Sequence, residues 1–255
     1  MKIALVSLIL ALAAAGNQQP AGDAIFDAMN DELARSVTQL KIGKHDRPYF
    51  VSYNIDQWDT LDIDASFGAF TLDQQARTRL LGLDVRVGDY HVDSGNMRRR
   101  YMAEFRHSGK VSLDDDYDAI RHKLWLSTDA AYKDAVEGLE RKKAIMQQRN
   151  EKERPDDWSK EEPLVLIQPK QEFHPDRSGW AAKIKSLSAI FKEYPRVRQS
   201  DVTFRELQSA RYYVNNEGSK SRVYETLCII NATATAQASD GRKIGDSIVI
   251  ASMDE

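Results

Sequence analysis

Residues 49–67 read YFVSYNIDQWDTLDIDASF. Tyr49, Val51, Tyr53 and Ile55 alternate with other residues. Leu61, Ile63, Ala65 and Phe67 alternate in the same way with Asp62, Asp64 and Ser66. A period of two places one face of an extended chain in a core and the other in water. Leu81, Val85 and Val87 continue the pattern toward Tyr90. The connections Asp56–Thr60 and Phe70–Gln74 are short enough for hairpins, so neighbouring strands are expected to be antiparallel.

Before these strands the period is that of a helix. Phe26, Met29, Leu33, Val37 and Leu40 recur three and four residues apart, with Asp23 as the expected N-cap and Gly43 as the stop. After them, residues 91–113 are poorly periodic and include Met97-Arg98-Arg99-Arg100. In an acidic chain three arginines read as a solvated loop or edge rather than an anion site. Asp114-Asp115-Asp116 lacks the spaced ligands, the Gly and the Glu of a calcium loop. Acids at a helix start complement its dipole. Tyr117, Ile120 and Leu124, then Tyr132, Ala135, Val136, Leu139 and Met146 behind a Thr128 cap, predict one bent helix or two consecutive central helices over 116–149.

Residues 150–163 hold nine charged residues in fourteen, and Pro155, Pro163, Pro169 and Pro175 forbid a regular helix through this stretch. A charged connection over 150–177 is expected, with one short strand near Leu164–Ile167 and early proteolysis at Lys152, Arg154 or Lys160. The first pattern then returns. Ser178 is the expected cap of a helix carrying Trp180, Ile184, Leu187 and Phe191, stopped by Pro195. Strands follow near Ser200–Leu207, Ala210–Val214, Arg222–Gln237 and Ile244–Ala251, with turns at Asn215-Asn216-Glu217-Gly218 and Asp240-Gly241. The fold class is therefore α+β: a helix followed by an antiparallel strand meander, duplicated, with two central helices. The halves are 23–149 and 178–255.

The chain has 255 residues and a net charge of −3, so no basic excess draws it to nucleic acid. Ile3–Ala15 is an uncharged run of small and apolar residues behind Lys2, ending in Ala13-Ala14-Ala15. It reads as a signal peptide over 1–15, followed by a polar leader over 16–22. Thirteen residues are too short to cross a ~30 Å bilayer core, so no stable membrane anchor is expected after cleavage. The expected location is outside the cytoplasm, in the periplasm. Cys228 is the only cysteine and excludes an internal disulfide. Its apolar neighbours read as packing.

The search for chemistry returns negatives. His45, His91, His107, His122 and His174 are never paired at metal-ligand spacing. A Gly-x-Ser-x-Gly elbow, a P-loop and a dinucleotide fingerprint are all missing. Asp62 and Asp64 share the polar side of a strand, and Asn231-Ala232-Thr233 falls inside one. No catalytic, cofactor-binding or metal-binding residue is assigned. Whether the protein is an enzyme stays open.

Three stretches together resemble one family. They are Phe67-Gly-Ala-Phe70 with Asp84-Val-Arg-Val-Gly88, Leu124-Trp-Leu-Ser-Thr-Asp-Ala-Ala-Tyr-Lys133 leading to Lys142-Lys143, and Tyr212-Tyr-Val-Asn-Asn-Glu-Gly-Ser-Lys220. The chain resembles, over roughly 23–255, the N-terminal half of TldD/PmbA-type metallopeptidase-related proteins, in an exported branch. The resemblance implies an α/β half that shapes a substrate cavity and assembly contacts. A zinc held by His-Glu-x-x-x-His would belong to a C-terminal half absent from this chain, so no cofactor is expected here. It implies a homo- or hetero-oligomer and an extended peptide as possible substrate, while the charge balance already argues for no nucleic acid. The alternative is a self-sufficient, non-enzymatic periplasmic binding or assembly module.

Overall fold

A computed structural model describes residues 22–95, 109–149 and 154–254. The leader, the arginines at 98–100, His107 and Lys152 lie outside the described residues. Helix α1 is Ala24–Gln39. The Asp23 carboxylate accepts the amides of Ile25 and Phe26 at 3.2 and 3.3 Å, satisfying two N–H groups that the first turn leaves open. Phe26, Met29, Leu33 and Leu40 are buried as their spacing requires. The helix closes at Leu40, and Gly43 takes its positive φ in the turn beyond.

The strands are longer than the sequence suggested. Strand β1 runs unbroken through Phe50–Ser66 and β2 through Ala69–Arg86. The expected connections at Asp56–Thr60 and Phe70–Gln74 are strand instead, and the turn is the two-residue Phe67-Gly68. Both turn residues have positive φ, 46° and 75°. A hairpin this tight needs that geometry to match the strand twist. The two-residue β3, Gly109–Lys110, pairs with β2.

Helix α2 is one continuous element, Tyr117–Arg149, not two central helices. Asp116 starts it by accepting the amide of Ala119 at 3.0 Å. Thr128, read as a cap, sits buried in mid-helix, where its hydroxyl donates to the Leu124 carbonyl at 2.7 Å. That bond satisfies the hydroxyl without ending the helix.

Strand β4, Val165–Ile167, lies parallel to β6. Helix α3, Arg177–Ala189, is capped by Asp176, whose carboxylate accepts the Gly179 amide at 2.9 Å. Ser178 lies inside the first turn and is not the cap. A 3-10 turn, Ile190–Glu193, ends the helix ahead of Pro195. Strand β5 spans Val197–Asn215 as one element, followed by β6, Lys220–Gln237, and β7, Lys243–Asp254.

One seven-stranded sheet joins both halves in the order β3-β2-β1-β5-β6-β4, with β7 also on β6. The centre is the antiparallel β1–β5 pair, Ser52 opposite Asn215 through Ala65 opposite Val202. Each half is a helix followed by a long hairpin, and the first strands of the hairpins meet. The duplication is thus a property of topology. All helices lie on one face. Under α1 and α2, Val51, Tyr53, Ile55, Leu81, Tyr212 and Val214 are buried. Under α3, Leu61, Ile63, Val202, Phe204 and Ile184 form a second core. Each such side chain contributes about 1.5–3 kcal/mol by leaving water.

Candidate functional site

The odd-numbered residues of β1 share one face. Val51 to Ile55 enter the first core and Leu61 to Ala65 enter the second. Between them, Gln57 and Asp59 point the same way, opposite Arg79 and Arg77 of β2. A polar belt therefore crosses the sheet beneath the gap between the helices. Arg79 is 2% exposed and uses all five of its N–H donors. Two go to Gln57 Oε1, two to the Ser112 and Asp114 carbonyls, and one to Asp115 at 2.8 Å. Asp59 accepts from Arg77 and Gln57, each at 2.6 Å. Lys170 reaches the other oxygen of Asp115 at 2.5 Å. Burial alone would raise the Asp115 carboxyl. The hydrogen bonds from Lys170 and Arg79 outweigh it and hold that carboxyl below its usual range. The donors and acceptors are spent on one another, so the belt ties the 112–116 loop and the segment after β4 to the sheet.

A second ionic cluster holds the chain beside the 96–108 stretch. Lys142, on α2, donates to Asp157 at 2.5 Å and to the Gly95 carbonyl at 2.9 Å. Arg154 closes on the same Asp157. Burial and the lysine bond act oppositely on Asp157, and its carboxyl ends below the usual range. Asp93, fully buried and 3.7 Å from Lys142, goes the other way because burial dominates. A hydroxyl chain crosses the core above: Ser36 to Tyr53 at 3.2 Å and Tyr53 to Thr128 at 2.8 Å. Burial pushes the Tyr53 phenol up to about 12.

The remaining feature is apolar and open. Strand β7 pairs with β6 from Thr226–Asp254 to Gln237–Lys243. Ile244, Ile248, Val249, Ile250 and Met253 are all more than half exposed. Ile248 and Ile250 lie on the helix-side face beside Ala232 and Ile230. Val249 and Met253 lie on the other face beside Asn231 and Leu227. The outer edge of β7 has no strand against it among the described residues. On the same border, Leu164 to Ile167 are also exposed, and the Gln168 side chain accepts the Tyr224 amide where β4 ends. The opposite border is mostly polar: beside Phe70, Ala69 and Ala76, its exposed β2 positions are Thr71, Asp73, Gln74, Gln75, Arg77 and Thr78. Charged edges discourage strand addition, whereas flat apolar edges invite it.

The sequence motifs fall mainly on structural work. Asn215 Oδ1 accepts the Glu217 and Ser219 amides, and Asn216 bonds both the Val51 amide and the Tyr49 carbonyl. Gly218 has φ 103°, which favours glycine. In the Trp-Leu-Ser-Thr-Asp stretch, Ser127 and Thr128 are buried while Trp125 and Leu126 face outward. His91 pairs with Asp156 at 2.6 Å and His174 with Glu172 at 2.9 Å, both exposed. Among the described residues no group of three His, Cys, Asp or Glu is placed to hold a metal ion. Cys228 is partly buried against the second core. Asp62 pairs with Arg205 across strands at 2.5 Å. On the same open face a hollow of about 200 Å³ is lined by Asp56, Trp58, Leu207, Arg211 and Glu225. Sequence reasoning did not single out Arg79 or Asp59, and it quoted Lys142 only within a family-like stretch, with no role. Their only signal was charge inside otherwise regular elements.

No protein-family model and no curated protein sequence matches the chain. Three solved structures are similar in shape at low identity. A protein described as a candidate modulator of DNA gyrase from Bacteroides thetaiotaomicron gives a TM-score of 0.46 at 11% identity, over 90% of this chain and 44% of that one. TldE from Thermococcus kodakarensis gives 0.44 at 7% identity, over 89% and 42%. A candidate modulator of a DNA gyrase from Thermotoga maritima gives 0.43 at 10% identity, over 79% and 39%. The chain spans less than half the length of each.

Proposed function

We propose that this chain is an assembly module that acts by adding a strand to β7, within an exported protein of the TldD/PmbA type. The observation that carries the reading is the β7 border: apolar on both faces, exposed, and open along its outer edge. Strand addition supplies backbone hydrogen bonds, and the alternating Ile and Val side chains supply the apolar area on either face. The buried polar groups point the same way. Among the described residues, the groups of the polar belt and of the Lys142 cluster are spent on one another as clamps. The family part of the reading rests on the three sequence stretches, above all the Trp-Leu-Ser-Thr-Asp helix and the Asn-Glu-Gly turn. On that reading, metal chemistry belongs to residues outside this chain, and this chain contributes the wall and contacts of the cavity.

Light scattering over a concentration series tests the assembly. The purified chain is expected to exceed monomer mass, with a second copy on β7, and Ile248→Lys with Ile250→Lys is expected to restore the monomer. A clean monomer at high micromolar concentration, with Ile248–Ile250 amides strongly protected from exchange, overturns it. Export carries its own expectation. N-terminal sequencing of extracytoplasmic material should begin near Gly16, whereas an intact Met1 on cytoplasmic protein rejects export.

A further inference from the structure

Three turns gather at one end of the sheet. The strand registers place the Phe67-Gly68 turn, the Tyr194–Arg196 entry to β5 and the Ala238–Arg242 turn side by side, because Ala65 faces Val202, Val197 faces Ala236 and Gln237 faces Lys243. The C-terminal part of α3 packs onto this end: the Ser188 hydroxyl accepts the Gly68 amide at 3.0 Å, and the Lys185 ammonium lies 5.8 Å from the Phe70 ring.

The charge of this end contrasts with that of the whole chain. It carries Lys185, Lys192, Arg196, Arg198, Arg242 and Lys243 against Glu193 and Asp240, within a protein of net charge −3. All six cations are exposed. Asp240 is engaged by Arg242, which leaves Glu193 as the other acid of these turns. Among the cations stand large apolar side chains in water: Phe70 at 43% exposure, Ile190 at 48% and Tyr194 at 57%. Phe67 adds a bulky residue in a left-handed conformation where Asn or Gly is usual.

We infer that this end of the sheet docks on an anionic lipid surface. Basic side chains drawn to an anionic headgroup layer and aromatic or aliphatic side chains entering the acyl boundary form the two-part signature of interfacial binding. A nucleic acid duplex would match the cations but would leave Phe70, Ile190 and Tyr194 in water, so the apolar component favours the bilayer. The surface is separate from the β7 edge, and the inference does not rest on the assembly reading.

The test uses the purified full chain with vesicles of phosphatidylcholine alone and with phosphatidylglycerol added, followed by co-sedimentation. Binding to the anionic vesicles, weakened by salt and absent from the neutral ones, is expected. Each cation near an anionic surface is worth about fivefold in affinity, so reversing Arg196, Arg198 and Lys243 to Glu together should weaken binding by at least about 100-fold. Phe70→Ser with Tyr194→Ser should also weaken it while keeping all the charge. Circular dichroism must show both variants folded. A variant that fails this check is replaced by Arg196→Gln with Arg198→Gln, read the same way. No binding at low salt overturns the inference. So does binding that all the variants retain, or binding to duplex DNA without binding to vesicles.

Discussion

Arg79 shows how a single side chain can look functional and be structural. A buried guanidinium on a strand, beside carboxylates, has the makings of an anion site. Its five donors all end on protein oxygens, so nothing is left to offer a ligand. Arg79→Met is expected to cost about 3–5 kcal/mol in urea unfolding, since it strands Gln57, Asp115 and two carbonyls. Asp115 gives the same clamp a pH dependence. Its folded carboxyl lies below the unfolded value, so its stabilisation is present above that value and is lost as pH falls through the folded one. Unfolding free energy measured from about pH 6 down to about pH 2 should therefore fall less steeply in Asp115→Asn than in the parent. Asp93 has the opposite sign: its carboxyl is raised by burial, so its contribution is present in acid and lost as pH rises. These residues could not be ranked before the fold was known, because a paired buried charge and a solvated one are the same letter.

At the level of elements, the polar belt explains what was misread. Helix α1, its Asp23 cap and the period-two faces of β1 were legible because a core selects apolar residues at fixed spacing. The alternation lapses at Asp56–Thr60 and again between Leu207 and Ala210, which sequence reasoning took as breaks. Both lapses lie where the strand crosses the belt. There the inward positions Gln57, Asp59 and Gln208 meet polar groups instead of a core, and Glu206 lies opposite Leu61 at the margin of the second core. A strand passing over two cores separated by a polar strip loses its pattern without losing its hydrogen bonds. Thr128 misled for a related reason: a cap residue buried in mid-helix can bond back to its own turn. The Asn215–Gly218 turn was legible in kind but not in reach. Asn216 joins this turn to the start of β1 across two strands of sequence-distant chain, so Asn216→Ala should cost about 1–2 kcal/mol in urea unfolding.

For the whole molecule, the expected duplication and the α+β class hold, while the charged connection turns out to be partly fastened. Arg154 and Asp157 join the Lys142 cluster, the Asp157 amide bonds the His91 carbonyl, and β4 adds to β6. Lys160 sits in the exposed stretch between these anchors. Limited trypsin digestion followed by mass spectrometry should find cleavage after Lys160 well before cleavage after the buried Arg222. The apolar run of the β7 border, Ile248-Val249-Ile250, was legible in the sequence. The clustering of three distant turns into one basic end was not, because that proximity exists only once the strand registers are set.

The meeting of β1 with β5 has a kinetic consequence. Ser52 pairs with Asn215, so the middle of the sheet closes a loop of more than one hundred and fifty residues. Each flanking hairpin is local and can form within microseconds, but the central ladder must wait for two distant pieces to find one another. As the chain emerges from its N-terminus, the β1–β2 hairpin appears first, with the β1 edge unpaired until β5 arrives. The search for that single seam, rather than any local step, is expected to set the pace of refolding, read as the slow phase in stopped-flow fluorescence. Until the seam closes, the half-made sheet keeps an open β1 edge of the kind that invites a second chain.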